Sequence, residues 1–147
     1  MKWLLAALLV AQAADPRLTV ADVEKITGLS GVQFVAPGSV AGAGAGLNFA
    51  TADRKMILMV NFGPAALYTQ AKNQKEYHGM PMPLFHASVA GIGDEAFDSP
   101  PGPMQFVLYM RKGNNAASFT AYYVGPNKAT LTMEQLKAIA KVVASRM

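Results

Sequence analysis

Apolar side chains recur about one helical turn apart in three parts of the chain, and each recurrence predicts an amphipathic helix. The first helix is capped by Thr19, with Asp22 as the reciprocal partner of the cap, and it ends at Gly28. The second follows a Gly-Pro pair and covers residues 65–75. Each helix has one face to pack on a core and one face left toward water.

The last predicted helix repeats the capping pattern of the first, with Thr132 as the cap and Gln135 as its partner. Its apolar stripe consists of Leu136, Ile139, Ala140 and Val143. The matching Leu-Thr openings of the two helices are consistent with a duplicated half. Because capping boxes also arise independently very often, both origins stay open at this point.

Short apolar runs bounded by turn residues predict strands at 32–35, 47–51, 56–62, 104–111 and 116–124, with one more within 87–97. The strand at 56–62 is apolar on both faces, which predicts a central position in the sheet. The order of elements is α-βββ-α-β-ββ-α. This order predicts an α+β fold, an antiparallel sheet with about three helices on one face.

The last two strands form the clearest predicted hairpin, with a turn at 112–115. Strict alternation divides their side chains between the two faces of the sheet. The predicted core face carries Phe106, Leu108, Met110, Phe119, Ala121 and Tyr123. A shift of one residue would bury Arg111 instead, so this register is strongly specified.

The first 13 residues have the features of an export signal. Lys2 precedes the apolar run Trp3–Val10, and small residues follow at Ala11 and Ala13. We therefore expect a signal peptide over 1–13 and one domain over 14–147, located in the periplasm or outside the cell. The alternative is an N-terminal core helix. The run is much shorter than the roughly 20 residues that cross a bilayer, so no transmembrane segment is expected.

Composition narrows the function classes. The chain has no cysteine, which excludes disulfides, thiol catalysis, thiolate metal sites and lipid attachment through cysteine. Its 13 Lys and Arg residues exceed its 9 Asp and Glu residues, but they are scattered along the sequence. Because no basic stripe or basic-aromatic pattern forms, nucleic-acid binding is not expected.

A segment rich in methionine, proline and histidine is the sharpest candidate for chemistry. Residues 77–86 contain both histidines of the chain, His78 and His86, together with Met80 and Met82. Thioether sulfur favours cuprous copper, and imidazole also binds copper well. The alternative is that these methionines fill gaps in the core, as methionines commonly do. No regular element is predicted for this segment.

Two glycine-containing segments are weaker candidates for a binding or catalytic site. Residues 38–46, here named the Gly-rich loop, resemble a phosphate-binding loop only superficially, because a strand rather than a helix follows. Asp94 and Glu95 follow Gly93 and offer two adjacent carboxylates. Neighbouring side chains on an extended backbone diverge, so a turn in which Asp94 accepts from nearby amides is favoured over an acid–base pair.

The outer face of the predicted hairpin carries Tyr109, Arg111 and Tyr122, which are candidates for a surface that contacts a partner or ligand. The alternative is that a helix or the Gly-rich loop covers these tyrosines. No serine stands in a nucleophile elbow, and catalytic residues are not predicted.

Three features of the sequence follow the export signal in order: the run Leu18–Leu29, the later Gly91–Phe97, and the closing amphipathic helix. Together they resemble a known group of proteins. They are similar to small extracytoplasmic α+β domains of bacteria, often lipoproteins of unknown function. That group commonly carries a lipidated cysteine, which this chain lacks.

The sequence predicts an exported, non-enzymatic binding or interaction domain without a cofactor. Its partner is expected to be another protein or a small apolar ligand, and its oligomeric state is not specified. The second hypothesis is a periplasmic copper-binding protein that uses His78, Met80, Met82 and His86.

Overall fold

The computed structural model describes residues 15–102, 105–124 and 130–147. The predicted leader at 1–13, and Met104 at the start of one predicted strand, lie outside the described residues. The helices are α1 (Val20–Thr27), α2 (Ala65–Asn73) and α3 (Met133–Ser145). The strands are β1 (Gln33–Val35), β2 (Leu47–Ala50), β3 (Met56–Pro64), β4 (Glu76–Tyr77), β5 (Met80–Pro81), β6 (Ala87–Ser88), β7 (Glu95–Asp98), β8 (Gln105–Lys112) and β9 (Asn115–Tyr122).

Seven of the strands form one antiparallel sheet in the order β1-β2-β3-β9-β8-β7-β6. Strands β4 and β5 pair only with each other. The α+β class is therefore confirmed, and the order of elements roughly matches the predicted one, with additional short strands between α2 and β8. The strand predicted to be central, β3, does lie inside the sheet between β2 and β9. Within the described residues, no helix has the length and apolar character that a membrane crossing requires.

The main hydrophobic core lies between one face of the sheet and helices α1 and α3. Strands β8 and β9 pair Phe106 with Ala121 and Leu108 with Phe119, and all four side chains are buried in this core. The predicted register of the hairpin is thus confirmed. Tyr123 is half-buried and packs against the same core.

Both predicted capping boxes are present. The Thr19 hydroxyl accepts from the Asp22 amide while the Asp22 carboxylate accepts from the Thr19 amide, and Thr132 and Gln135 make the same exchange on α3. Gly28 ends α1 with a φ of +73°, a left-handed conformation that favours glycine. Local sequence signals therefore fix both ends of the first helix.

Helix α2 corrects the expectation that the helices share one face. Its Tyr68 is buried against Phe97 and Ala116, whereas the next residues along the same strands, Ala96 and Ala117, belong to the main core. Successive residues of a strand point to opposite faces, so α2 covers the face opposite α1 and α3. This second face also needs cover, because it carries apolar side chains such as Phe97.

The Gly-rich loop covers the other end of that second face. Val40 and Ala43 pack against Met56 and the partly buried Tyr122. The loop is held by the buried Asn48, whose side-chain oxygen accepts from the Gly44 amide at 3.1 Å and whose side-chain nitrogen donates to the Gly44 carbonyl at 2.7 Å. The loop thus belongs to the packed structure.

Candidate functional site

Five large hydrophobic side chains of the described residues are exposed, and all five lie in one stretch of the chain. They are Leu67 (50 % exposed), Tyr77 (57 %), Met80 (70 %), Met82 (49 %) and Phe85 (36 %). Leu67 belongs to α2, and the other four belong to the segment that follows it. We name these five side chains the apolar surface.

Hairpin β4–β5 forms the most exposed part of this surface. Tyr77 pairs with Met80, and the Met82 amide donates to the Lys75 carbonyl at 2.9 Å, which continues the same register. Cross-strand partners share a face, and so do residues two apart on one strand. Tyr77, Met80 and Met82 therefore lie on one side of the hairpin, here named the hairpin face, with Lys75 at its edge.

A two-residue turn closes this hairpin. His78 has a φ of +50° and Gly79 a φ of +77°, the left-handed pair that a tight hairpin turn requires. The prediction that residues 77–86 form no regular element is therefore wrong. Histidine tolerates this conformation better than most residues, so His78-Gly79 is the signal that marks the turn.

The base of the hairpin is fixed to the body of the domain. The Gln74 side-chain amide donates to the Met82 carbonyl at 2.9 Å. Leu84 packs into the cluster around Tyr68, and the Phe85 ring lies 5.5 Å from the Phe97 ring between centroids. These contacts hold the base of the hairpin against the domain while the hairpin face stays exposed.

The structure separates the two histidines of the predicted copper site. The His78 ring makes an edge contact with the Tyr77 ring at a centroid distance of 4.1 Å. The His86 Nδ1 atom lies 3.0 Å from Asp98 Oδ1, and the His86 amide donates to the Asp98 carbonyl at 2.8 Å. His78 thus sits with Met80 and Met82 on the hairpin, whereas His86 is bound to the main sheet. Among residues 15–102, 105–124 and 130–147, no three His, Cys, Asp or Glu side chains are grouped as a metal site.

Tyr109, Arg111 and Tyr122 share one face of the sheet, as their register requires. Tyr109 is half-buried and stacks on Phe97 at 4.7 Å, and burial raises its pKa. Tyr122 is half-buried beside the Gly-rich loop, and its hydroxyl lies 3.8 Å from Met59 Sδ. A helix therefore lies over Tyr109 and the Gly-rich loop over Tyr122, which is the alternative to an open surface for a partner.

Asp94 and Glu95 serve the β8–β9 hairpin. Asp94 Oδ2 accepts from the Gly113 amide at 2.7 Å, in the hairpin turn. Glu95 pairs with Arg111 at 3.2 Å and with Lys72 at 3.5 Å, and the hydrogen bond from Arg111 is the main cause of its lowered pKa. Asp94 therefore accepts from an amide as expected, but that amide lies 19 residues further along the chain and not in the turn that contains Asp94.

The clefts of the described residues differ in size. The cleft between α2 and the sheet, beside Tyr68 and Tyr109, has a volume of about 90 Å³. Small-molecule sites commonly have volumes of about 300 Å³ or more. A larger groove of about 440 Å³ lies beside His86 and the start of α3. Its lining includes Pro101, Phe106 and Leu131.

A comparison of the chain with protein-family models, with curated proteins and with solved structures found no match.

Proposed function

We propose that the chain is an exported, non-enzymatic binding domain that docks another protein through the apolar surface. The observation that carries this proposal is the grouping of all five exposed large hydrophobic side chains of the described residues on α2 and the segment after it. Single exposed apolar residues are ordinary on a folded protein, whereas neighbouring ones commonly mark an interaction site, and Tyr77, Met80 and Met82 are neighbours on the hairpin face.

The residue types of the apolar surface favour a protein as the partner. Tyrosine, phenylalanine and methionine are enriched in protein interfaces, and the flexible methionine side chain adapts to different partner shapes. The cleft of about 90 Å³ beneath α2 is small for an organic ligand. A displayed hairpin suits insertion into a groove of a partner better than enclosure of a small molecule.

The charges around the hairpin face describe the partner further. Lys75 lies at the edge of this face, opposite Met82, and is exposed. Lys72 is also near the end of α2, but it pairs with Glu95 at 3.5 Å. The expected partner therefore has an apolar groove with at least one acidic residue on its rim, placed to meet Lys75.

Photo-crosslinking followed by a binding measurement tests this proposal. A photoreactive amino acid at Tyr77 identifies the partner in the native envelope, and the dissociation constant is then measured with both purified proteins. We expect Tyr77→Ser combined with Met80→Ser to weaken binding about tenfold or more, because exposed aromatic anchors commonly dominate an interface.

Lys141→Ser is the matched control, because Lys141 is exposed on α3, away from the apolar surface. It is expected to bind as the unmodified protein does. Equal affinity of the Tyr77/Met80 variant and the unmodified protein would refute docking through this surface. Circular dichroism checks that both variants are folded.

A further inference from the structure

We propose that hairpin β4–β5 binds one cuprous ion through the thioether sulfurs of Met80 and Met82 and an imidazole nitrogen of His78. This site is separate from protein docking in its chemistry, although both use the hairpin face. The four-residue site predicted from the sequence is thereby reduced to three residues on one hairpin.

The two methionines have the placement that a shared ion needs. They are two residues apart on one extended segment, so their side chains project to the same side. Met80 is 70 % exposed and Met82 is 49 % exposed, so neither sulfur must leave a packed core to reach a metal ion. The alternative in which these methionines only fill gaps in the core does not fit this exposure.

His78 supplies the third ligand from the turn of the same hairpin. Its ring contacts the Tyr77 ring, and Tyr77 is the cross-strand partner of Met80. The imidazole therefore lies at the turn end of the hairpin, next to the Tyr77–Met80 pair, and Met82 follows two residues further along the same segment. The left-handed backbone of His78 and Gly79 holds the turn that brings these residues together.

The donor set selects the metal. Two thioethers and one imidazole form a soft, low-charge set, which suits Cu⁺ better than the hard cations Mg²⁺ and Ca²⁺. Zinc sites are built from thiolate, imidazole and carboxylate ligands, and two thioethers replace none of these well. Binding leaves the oxidation state of the ion unchanged.

His86 is assigned a structural role. Its Nδ1 atom lies 3.0 Å from an Asp98 oxygen that also accepts from the Ala87 amide. The ring therefore supports the pairing of β6 with β7. Three residues, including Pro83, separate Met82 from His86, and the other two, Leu84 and Phe85, pack on the domain. Movement of His86 to the hairpin face would break these contacts.

Anaerobic titration with Cu⁺ in competition with a chromogenic chelator tests the site. We expect the full chain to take up about one equivalent, and Met80→Leu and Met82→Leu each to weaken the affinity about tenfold or more. Leucine conserves the volume and the apolar character of methionine, so these variants retain the fold and the docking surface. A loss of copper affinity with unchanged partner binding therefore separates this proposal from the proposed function.

Two control variants sharpen the assignment. Met133→Leu changes a half-buried methionine on α3, and His86→Ala removes the other imidazole. Both are expected to bind Cu⁺ as the unmodified protein does. Ag⁺, a redox-inactive probe, is expected to shift the methyl NMR signals of Met80 and Met82 alone. Absence of uptake, or unchanged affinity in both leucine variants, would overturn the site, and a loss in His86→Ala as large as that in Met82→Leu would overturn the three-residue assignment.

Discussion

Single residues connect the two ends of the described chain. Arg146, just after α3, donates to both carboxylate oxygens of Asp22 on α1, at 2.6 and 3.1 Å. The same guanidinium donates to the carbonyl oxygens of Pro16 and Arg17 at 3.4 and 3.5 Å. Asp22 also closes the capping box with Thr19. One carboxylate thus stabilises the start of α1 and its contact with α3.

The ionisation of Asp22 makes a prediction about pH. The Arg146 hydrogen bond, followed by those from Thr19, holds the pKa of Asp22 well below its ordinary value in an unfolded chain. A carboxylate with a lowered folded pKa stabilises the fold fully above its unfolded pKa of about 4, and this contribution is lost as the pH falls toward the folded pKa. We expect Asp22→Asn to reduce the free energy of unfolding at neutral pH and to flatten its decline in acid.

Urea denaturation at a series of pH values from about 2 to 7 measures this effect. Glu134→Gln is the control, because Glu134 forms only an exposed ion pair with Lys137 three residues away on α3. Such pairs contribute little to stability. Parallel stability profiles for Asp22→Asn and the unmodified protein would contradict the assigned role of Asp22.

Among the elements, those with strong local signals were predicted well from the sequence. Helices α1 and α3 have capping boxes, and hairpin β8–β9 has strict alternation around a short turn. The face covered by α2 could not be predicted, because β3 and its neighbours are apolar on both faces and offer two docking surfaces. Hairpin β4–β5 was missed because prolines at 81 and 83 obscure the His-Gly turn signal.

The candidate site was predicted from the sequence only in part. The sequence placed His78, Met80 and Met82 in one segment, and the structure keeps them together on one hairpin. The separation of His86 depends on Asp98, which lies 12 residues away and reaches it only through pairing at the edge of the sheet. Spacing along the chain contains no signal for that contact.

Gly93, in the connection between β6 and β7, allows a close approach of this connection to β8. Gly93 has a φ of +55°, and a Cβ atom there would lie 2.6 Å from the Arg111 carbonyl oxygen. That same oxygen accepts from the Asp94 amide at 2.8 Å, so the two segments cannot separate without losing this bond. We expect Gly93→Ala to be strongly destabilising because it adds a backbone clash to an unfavourable φ.

Gly113 offers a matched control for that substitution. Its φ is +58°, close to that of Gly93, but no atom lies within 4 Å of a Cβ placed there. Gly113→Ala is expected to cost only about 1 kcal/mol, the strain of a left-handed alanine. The difference between the two unfolding free energies in urea isolates the clash. Equal losses would show that β7 and β8 do not depend on this close approach.

At the scale of the whole molecule, the sheet has a different cover on each face. Helices α1 and α3 cover one face, where they pack on Leu108 and Phe119. Helix α2 and the Gly-rich loop cover opposite ends of the other face through Tyr68 and Val40. Because β3 and β9 contribute side chains to both layers, both layers contribute to the stability of the domain. The apolar surface lies on α2 and the segment that follows it.

This architecture bears on the proposed export of the protein. Asp15 and Arg17 form an ion pair at 2.6 Å, and the Arg17 guanidinium lies 3.5 Å from the centre of the Phe62 ring. The chain is therefore tied to the sheet from Asp15 onward, and Leu18 is already in the main core. Cleavage after Ala13 would leave all of these contacts in place.

We expect a chain of residues 14–147 to fold with the same thermal midpoint as the product recovered from the envelope of an exporting host. Intact-mass measurement of that product is expected to show the loss of Met1–Ala13. Calorimetry then compares the two samples, with Arg17→Ala as a variant that weakens the N-terminal attachment itself. Retention of residues 1–13 in the folded product would contradict the leader assignment. Failure of residues 14–147 to fold would instead favour the alternative in which the apolar run Trp3–Val10 is a core helix.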